Sequence, residues 1–191
     1  MNKQMKGELY KLVQEKCKNY DKHFGHTDVW RYHIKLVVDN AMFLATKYGA
    51  DMEIVELSAL LHDIASLEDL EKYGETHHIV GSQMAEEILA KYGYPKDRIE
   101  RVKGCILNHR ASAPAQKAMI EEICVADADA LAHIQAVAEL LMWRAYLGES
   151  VEEGCAFVKH KISKSYNKMS QQSQELYKDK FSATMQLFDF L

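Results

Sequence analysis

The chain has 191 residues, of which 48% are hydrophobic and 27% charged, and its formal net charge at pH 7 is −4. This balance is that of an ordinary globular protein, and a chain of this length buries enough apolar surface for one core without disulfides. The charge disfavours general nucleic-acid binding, and no stretch holds the roughly 20 apolar residues of a membrane span. The first eleven residues lack the apolar segment of a secretory signal, so we expect a cytoplasmic protein with reduced cysteines and no membrane partner.

Helical periodicity runs through most of the chain. Pro95 and Pro114 are the only prolines, so long helices can form without interruption. Apolar residues at three- and four-residue steps predict a first helix over residues 29–44. Asp51 is placed to cap a second helix, which runs through Leu60 and Leu61.

A third helix is predicted to begin near Thr76 and to end at the Tyr-Gly-Tyr-Pro turn of residues 92–95. Further helices fit residues 96–109, 117–132, 134–147, 150–168 and 172–190. No stretch alternates with a period of two between hairpin signals, so no strand is expected. The sequence therefore predicts an all-α fold, a helical bundle that forms a single domain over residues 1–191.

His62 and Asp63 stand side by side after the apolar run of residues 58–61. Neighbours on an α-helix point about 100° apart, so both can reach one ion only where a helix ends and the backbone adjusts. Residues 64–66 are a suitable place for that end. Taken alone, the pair is more typical of a histidine that caps a helix beside a solvated aspartate.

Other residues change this interpretation towards metal binding. His33 lies on the apolar face of its predicted helix, where an imidazole needs a polar partner. Asp129 lies in the otherwise apolar run of residues 125–131, where a carboxylate is costly unless it is paired or binds a metal. His77 and His109 add imidazoles at the beginning of one predicted helix and at the end of another. Imidazole and carboxylate together favour ions such as Mn, Fe and Zn.

The order of these residues resembles that of the HD superfamily of metal-dependent phosphohydrolases, in which a histidine, a His-Asp pair and a distant aspartate lie on successive helices. Five segments in the right order carry the resemblance: Trp30-Arg-Tyr-His33, Ala59-Leu-Leu-His-Asp-Ile64, His77-His-Ile-Val-Gly81, Ile106-Leu-Asn-His109 and Ala126-Asp-Ala-Asp-Ala-Leu131. They span roughly residues 26–135, and the helices of residues 136–191 are expected to pack on this HD-type core.

The resemblance assigns metal ligation to four residues: His33, His62, Asp63 and Asp129. Asp127 competes for the last place, but Asp129 is preferred because it is followed by an alanine and a leucine, as in the family. His77 and His109 match positions at which relatives hold a second metal or contact the substrate phosphate. His77 is preferred over its neighbour His78 for its spacing to Gly81.

The implied activity is hydrolysis of a nucleotide or another small phosphoester by metal-activated water, with Asp63 and His62 as catalytic residues. One or two divalent ions are expected, Mn, Fe, Co, Ni or Zn, because histidine ligands disfavour Mg; Asp63 would bridge two ions. Lys35 and Arg110 are candidates for substrate binding. Two alternatives stay open: an HD-type di-iron oxygenase and a catalytically inactive HD binding module.

The remaining basic residues are expected to have ordinary roles. His133 lies one turn after Asp129 and could support it, although a core or surface position is more typical. Lys159, Lys161 and Lys164 lie near His160 on what is expected to be a solvated helix face. These lysines could contact a phosphate, as Lys35 and Arg110 could, but long basic side chains usually cover a surface.

Overall fold

The computed structural model describes residues 2–24, 28–110 and 119–189. Throughout these residues the regular structure is helical, which confirms the predicted all-α class. No helix in the described part of the chain is long and apolar enough to cross a membrane. Residue 26, where the motif-bearing segment begins, and the predicted helix ends at 117–118 and 190 lie outside the described residues.

From residue 29 onward the longer helices follow the predicted order, and two short helices between residues 64 and 73 are not predicted. The bounds of the described helices are α1 Lys3–Phe24, α2 Lys35–Tyr48, α3 Met52–Leu61, α4 Ile64–Glu68, α5 Leu70–Tyr73, α6 His77–Lys91, α7 Lys96–Leu107, α8 Ile120–Gln135, α9 Val137–Tyr146, α10 Val151–Lys168 and α11 Gln171–Gln186. A π-helical turn, Trp30–Ile34, leads directly into α2. Asp51 accepts hydrogen bonds from the backbone of Glu53 and Ile54, so its predicted capping role is confirmed.

Helix α1 is an element that the sequence analysis does not predict. It places one side chain every four residues against the core, and these are buried: Met5, Leu9, Val13 and Cys17. This narrow stripe is flanked by charged residues, and the mean hydropathy of the helix is low. The apolar signal is therefore weak along the sequence, although packing against α4 makes it sufficient.

Helix α8 lies at the centre of the fold. One of its faces carries Val125 and Ala128 into the main core, which α1, α2, α3, α6 and α7 share. The other face carries Leu131 and Ile134 into a second apolar cluster with α9, α10 and α11. A helix buried on both faces exposes little of any residue, so polar side chains on α8 must find partners inside the protein.

Candidate metal centre

Four side chains meet at the C-terminal end of α3. Nε2 of His33 lies 3.2 Å from Nε2 of His62 and 3.0 Å from Oδ2 of Asp63. Oδ1 of Asp129 lies 3.7 Å from Nε2 of His33 and 3.9 Å from Nε2 of His62. We call these four residues the first donor group; they are the residues that the sequence analysis assigns to metal ligation.

A second set of donors lies beside the first. Nε2 of His77 is 3.3 Å from Nε2 of His109. Oδ1 of Asp63 lies 3.7 Å from Nε2 of His77 and 3.9 Å from Nε2 of His109. We call these three residues the second donor group. Asp63 belongs to both groups, because its Oδ2 faces the first and its Oδ1 faces the second.

A break in the backbone aims the adjacent residues His62 and Asp63 at the same place. His62 ends α3, and Asp63 leaves the helical conformation with φ −106° and ψ 18°. Helix α4 then begins at Ile64, so residues 64–66 start a new helix, and their prediction as the end of the preceding one is wrong. The break replaces the separation of about 100° between neighbours on a continuous helix.

His33 reaches the site from the π-helical turn. Such turns insert an extra residue into a helix and occur often at functional sites. The prediction of one regular helix from residue 29 does not contain this turn, because apolar steps of three and four residues do not distinguish it from an α-helical turn. The side chain of His33 remains 16% exposed, whereas Ile34 beside it is fully buried in the core.

Backbone carbonyls orient three of the four imidazoles. Nδ1 of His62 lies 2.8 Å from the carbonyl oxygen of Ala59, and Nδ1 of His77 lies 2.6 Å from that of Gly74. His109 makes the same contact three residues back, at 2.5 Å. A carbonyl oxygen only accepts, so Nδ1 donates its proton there, and each ring in its neutral form directs the Nε2 lone pair into the site. Facing lone pairs need a shared cation, so the donor sets fit a metal ion.

The charges of the site lead to the same need for a cation. Burial raises the pKa of Asp63, but the imidazoles of His62 and His33 outweigh it and hold that pKa well below its usual range. Burial lowers the pKa of His62, and the Asp63 and Asp129 carboxylates outweigh it and raise that pKa to about 9. Burial lowers the pKa of His109 to about 3, so this ring is neutral. Both shifts mean that the site favours positive charge beside its carboxylates, which a metal ion would supply.

Asp127 and Asp129 point to different parts of the molecule. They are two residues apart on α8, so their side chains diverge by roughly 200°. Asp129 faces the first donor group, and Nζ of Lys168 donates to its Oδ2 at 2.6 Å. Asp127 accepts hydrogen bonds from the backbone nitrogen of Ser170 at 3.0 Å and from its hydroxyl at 2.5 Å. The structure thus brings Asp129 to the donors, whereas Asp127 binds the N-terminus of α11.

A cavity of about 430 Å³ opens over both donor groups. This volume lies within the range of small-molecule sites. Helix α10 contributes basic side chains to its wall, among them Lys161 and Lys164, and Trp143 and Leu140 of α9 add an apolar part. The arrangement can hold a small anionic molecule against the donor residues.

The two basic residues proposed for substrate binding lie in different places. Arg110 lines the cavity but pairs with Glu75, with Nη2 and Oε2 at 2.7 Å. Lys35 lies on an exposed face of α2 and pairs with Asp39 one turn further on. The structure therefore brings Arg110 to the cavity, but not Lys35.

The family model of the HD domain matches residues 30–134. The chain belongs to the HD-domain family. The matched segment covers more than half of the chain and contains every residue of the two donor groups. HD domains bind divalent metal ions, which agrees with the clustered imidazoles and carboxylates described above.

Similar proteins support the HD fold over most of the chain. The chain is 35% identical over 94 residues to an uncharacterized protein of Clostridium beijerinckii. This alignment covers 49% of the chain and 54% of the relative, so it spans about half of the relative's length. Bacillus subtilis YpgQ, solved in complex with ADP, superposes with a TM-score of 0.70 at 22% identity and covers 95% of this chain and 93% of its own. A predicted HD superfamily hydrolase from an uncultured Thermotogales bacterium superposes with a TM-score of 0.62 at 21% identity, covering 95% and 87%.

Three further residues at this HD-domain site have positions that the sequence analysis does not favour for them or does not consider. His133 stacks on His33 with ring centroids 5.3 Å apart, and its Nε2 lies 3.8 Å from Oδ1 of Asp129. Lys168 holds Asp129, and Lys161 lines the cavity rather than the solvated face predicted for it. The sequence does indicate that these lysines share one face of a helix, because Lys161, Lys164 and Lys168 follow the i, i+3, i+7 spacing.

Proposed function

We propose that this HD-domain protein is a metal-dependent phosphohydrolase that hydrolyses a nucleotide or another small phosphoester by metal-activated water. The observation that carries the proposal is the pair of donor groups that share Asp63 beneath a cavity with lysines on its wall. Carboxylate and imidazole donors suit the hydrolytic transition metals, and the lysines suit a phosphate.

The first donor group would hold one divalent ion, and the second group would hold another, with Asp63 common to both. Five histidines near the site favour Mn, Fe, Co, Ni or Zn over Mg. A bound ion supplies a water of lowered pKa as the nucleophile and polarises the phosphoryl oxygen of the substrate.

The protein's own residues would orient and balance this chemistry. Asp63 is ionised, so its carboxylate can accept a hydrogen bond from the attacking water and orient it. His62 is fixed by the carbonyl oxygen of Ala59 and is fully buried, so its ring keeps one orientation. Asp63 and His62 are therefore the residues that we propose as catalytic.

A nucleotide is the first substrate class to test. The ADP in the YpgQ structure belongs to a protein that shares this fold at 22% identity. In this chain, the cavity combines basic residues with Trp143 and Leu140, which suit a phosphate and a flat apolar ring respectively.

The cysteines support the cytoplasmic location expected from the sequence. Cys17, Cys105, Cys124 and Cys155 are free thiols and all are buried. Reduced thiols of this kind are usual in a reducing compartment.

The test is metal analysis of the purified protein, followed by a phosphate-release screen of nucleotides and small phosphoesters with Mn added. We expect bound transition metal and turnover that a chelator abolishes. Oxygen consumption by iron-loaded protein, without phosphate release, would instead identify an oxygenase. Metal binding without either reaction would identify an inactive binding module.

A further inference from the structure

One wall of the cavity, formed by α10, comes from outside the HD family match. That match ends at residue 134, whereas Lys161, Lys164 and Lys168 lie on α10. All three line the cavity. The family model therefore does not describe the lysines of α10.

Helix α10 runs antiparallel to α8 along this wall. Nζ of Lys168 contacts Asp129 at 2.6 Å, and one turn further along α8, Nδ1 of His133 lies 3.2 Å from the hydroxyl of Ser165. Lys161 follows another turn away, and its charge lowers the pKa of His133, as burial also does. Lys161 thus lies about 10 Å along the helix axis from the lysine that touches the first donor group.

Lys161 differs from the other basic residues of the cavity in its partners. Lys168 binds Asp129, and Arg110 binds Glu75. Within the described residues, Lys161 forms no direct ion pair; the carboxylates that act on it do so at longer range. Burial lowers the pKa of the Lys161 ammonium, which reflects the cost of a charge held there without a close partner.

We infer that Lys161 and Lys164 bind an anionic group of the substrate that is distinct from the phosphoryl group at the metal centre. This inference rests on the proposed function and narrows its substrate class. The backbones of Lys161 and Lys168 lie about 10 Å apart along α10, so this wall is long enough to contact a second phosphoryl group beyond the one at the donor residues. The substrate class is therefore one with at least two phosphoryl groups in a row, such as a nucleoside diphosphate or triphosphate.

Calorimetry on the Mn-loaded protein tests the inference without requiring turnover. The probes are inorganic phosphate and tripolyphosphate. Wild-type protein should bind tripolyphosphate more tightly, and Lys161→Met should weaken that binding roughly 10- to 150-fold, the effect of losing a charge-assisted contact. Phosphate affinity and Mn stoichiometry should stay unchanged.

Matched variants separate this contact from a general loss of charge or of folding. Lys159→Met removes a lysine from the same helix that points about 200° away from Lys161 and does not line the cavity, so it should leave both affinities unchanged. Lys161→Arg keeps the charge and should retain the preference for tripolyphosphate. Lys164 is exposed, so Lys164→Met tests the same subsite with little risk to folding and should weaken tripolyphosphate binding in the same direction.

The inference is overturned if Lys161→Met and Lys164→Met leave tripolyphosphate affinity within twofold of wild type. It is equally overturned if they weaken phosphate and tripolyphosphate alike, since the lysines would then serve the metal centre or the fold. Lysine-dependent binding of tripolyphosphate together with a failure of every phosphoester to react would reject the hydrolase and retain the anion subsite.

Discussion

Asp63 is the residue on which both halves of the metal centre depend. Its two carboxylate oxygens face different imidazole pairs, His33 with His62 and His77 with His109. Its backbone conformation also ends α3 and begins α4. One side chain therefore couples the two donor groups, and a change there affects both.

Asp63→Asn should strip metal and reduce turnover at least 100-fold while helical content stays near that of wild type. The amide keeps the shape of the side chain but has lost the charge and one acceptor atom. Elemental analysis, phosphate release and circular dichroism measure the three quantities. Asp39→Asn, on an exposed face of α2, is the control. Full metal content and turnover in Asp63→Asn would remove the His-Asp pair from the site.

Asp129→Asn and Asp127→Asn should separate metal binding from stability. Asn at 129 should abolish binding at the first donor group. Asn at 127 should keep the metal but lower the free energy of unfolding by about 1–3 kcal/mol, because a buried acceptor of two Ser170 hydrogen bonds is weakened. Metal analysis and urea unfolding of both variants check this, and the opposite pattern would make Asp127 the ligand.

His77→Ala and His109→Ala should each lower metal stoichiometry by about one ion per chain, because both residues belong to the second donor group. Elemental analysis against protein concentration measures the change. If the two imidazoles only donate to the substrate, the metal content will hold and kcat/KM will fall roughly 10- to 150-fold instead.

At the scale of elements, the end of α3 remote from the site is tied to two other helices. Asp51 caps α3 and accepts from Arg98 of α7 and Arg101 of α7, each at 3.1 Å. Arg101 also donates to Glu121 of α8 at 3.0 Å. These contacts align α3, α7 and α8. His62 and His109 directly follow the C-terminal ends of α3 and α7, and Asp129 lies on α8.

Asp51→Asn should lower the free energy of unfolding by about 1 kcal/mol at pH 7, because Asn still caps the helix but has no charge for the arginines. Partial burial raises the pKa of Asp51, but Arg98 and the other donors outweigh it and lower that pKa. A lowered folded pKa adds stability above the unfolded value of about 3.9, and this stability is lost as the pH falls through the folded pKa.

Urea unfolding of wild type and Asp51→Asn at pH 7 and pH 3 measures this contribution. The difference in free energy of unfolding between the two proteins should be smaller at pH 3 than at pH 7. The metal content of Asp51→Asn at pH 7 should match that of wild type. A difference that grows on acidification would mean that Asp51 is not stabilised by its arginine partners.

At the scale of the whole molecule, the metal centre joins parts of the chain that are far apart in sequence. Donors come from the π-helical turn, the α3–α4 junction, α6, the segment that follows α7, and α8. An ion that binds them all favours the folded chain over the unfolded one, where these residues are separated.

Removal of metal with a chelator should lower the melting temperature by about 5–10 °C. An ion at 100 times its dissociation constant adds about 2.7 kcal/mol, and each kcal/mol shifts Tm by about 2–4 °C in a chain of this size. Differential scanning calorimetry with chelator and with restored Mn measures the shift. Asp63→Asn should show almost none, and an equal shift in that variant would place the stabilising ion elsewhere.

The sequence by itself determined the all-α class, the order of the helices from residue 29 and membership of the HD family. These properties follow from the local sequence. Apolar spacing indicates a buried helix face, and a polar donor in an apolar run indicates a buried site. His33, His62 and Asp129 each stand out in this way before any contact is known. The order of the five motif segments indicates the family.

Tertiary structure alone decided which side chains meet. Apolar spacing was too weak to predict α1, and it could not register the π-helical turn that carries His33. Lys168 reaches Asp129 across 39 residues, and Lys161 enters the cavity only because α10 packs along α8. A basic side chain on a helix has the same local sequence whether it faces water or a cavity, since its surroundings are set by the packing of a distant segment.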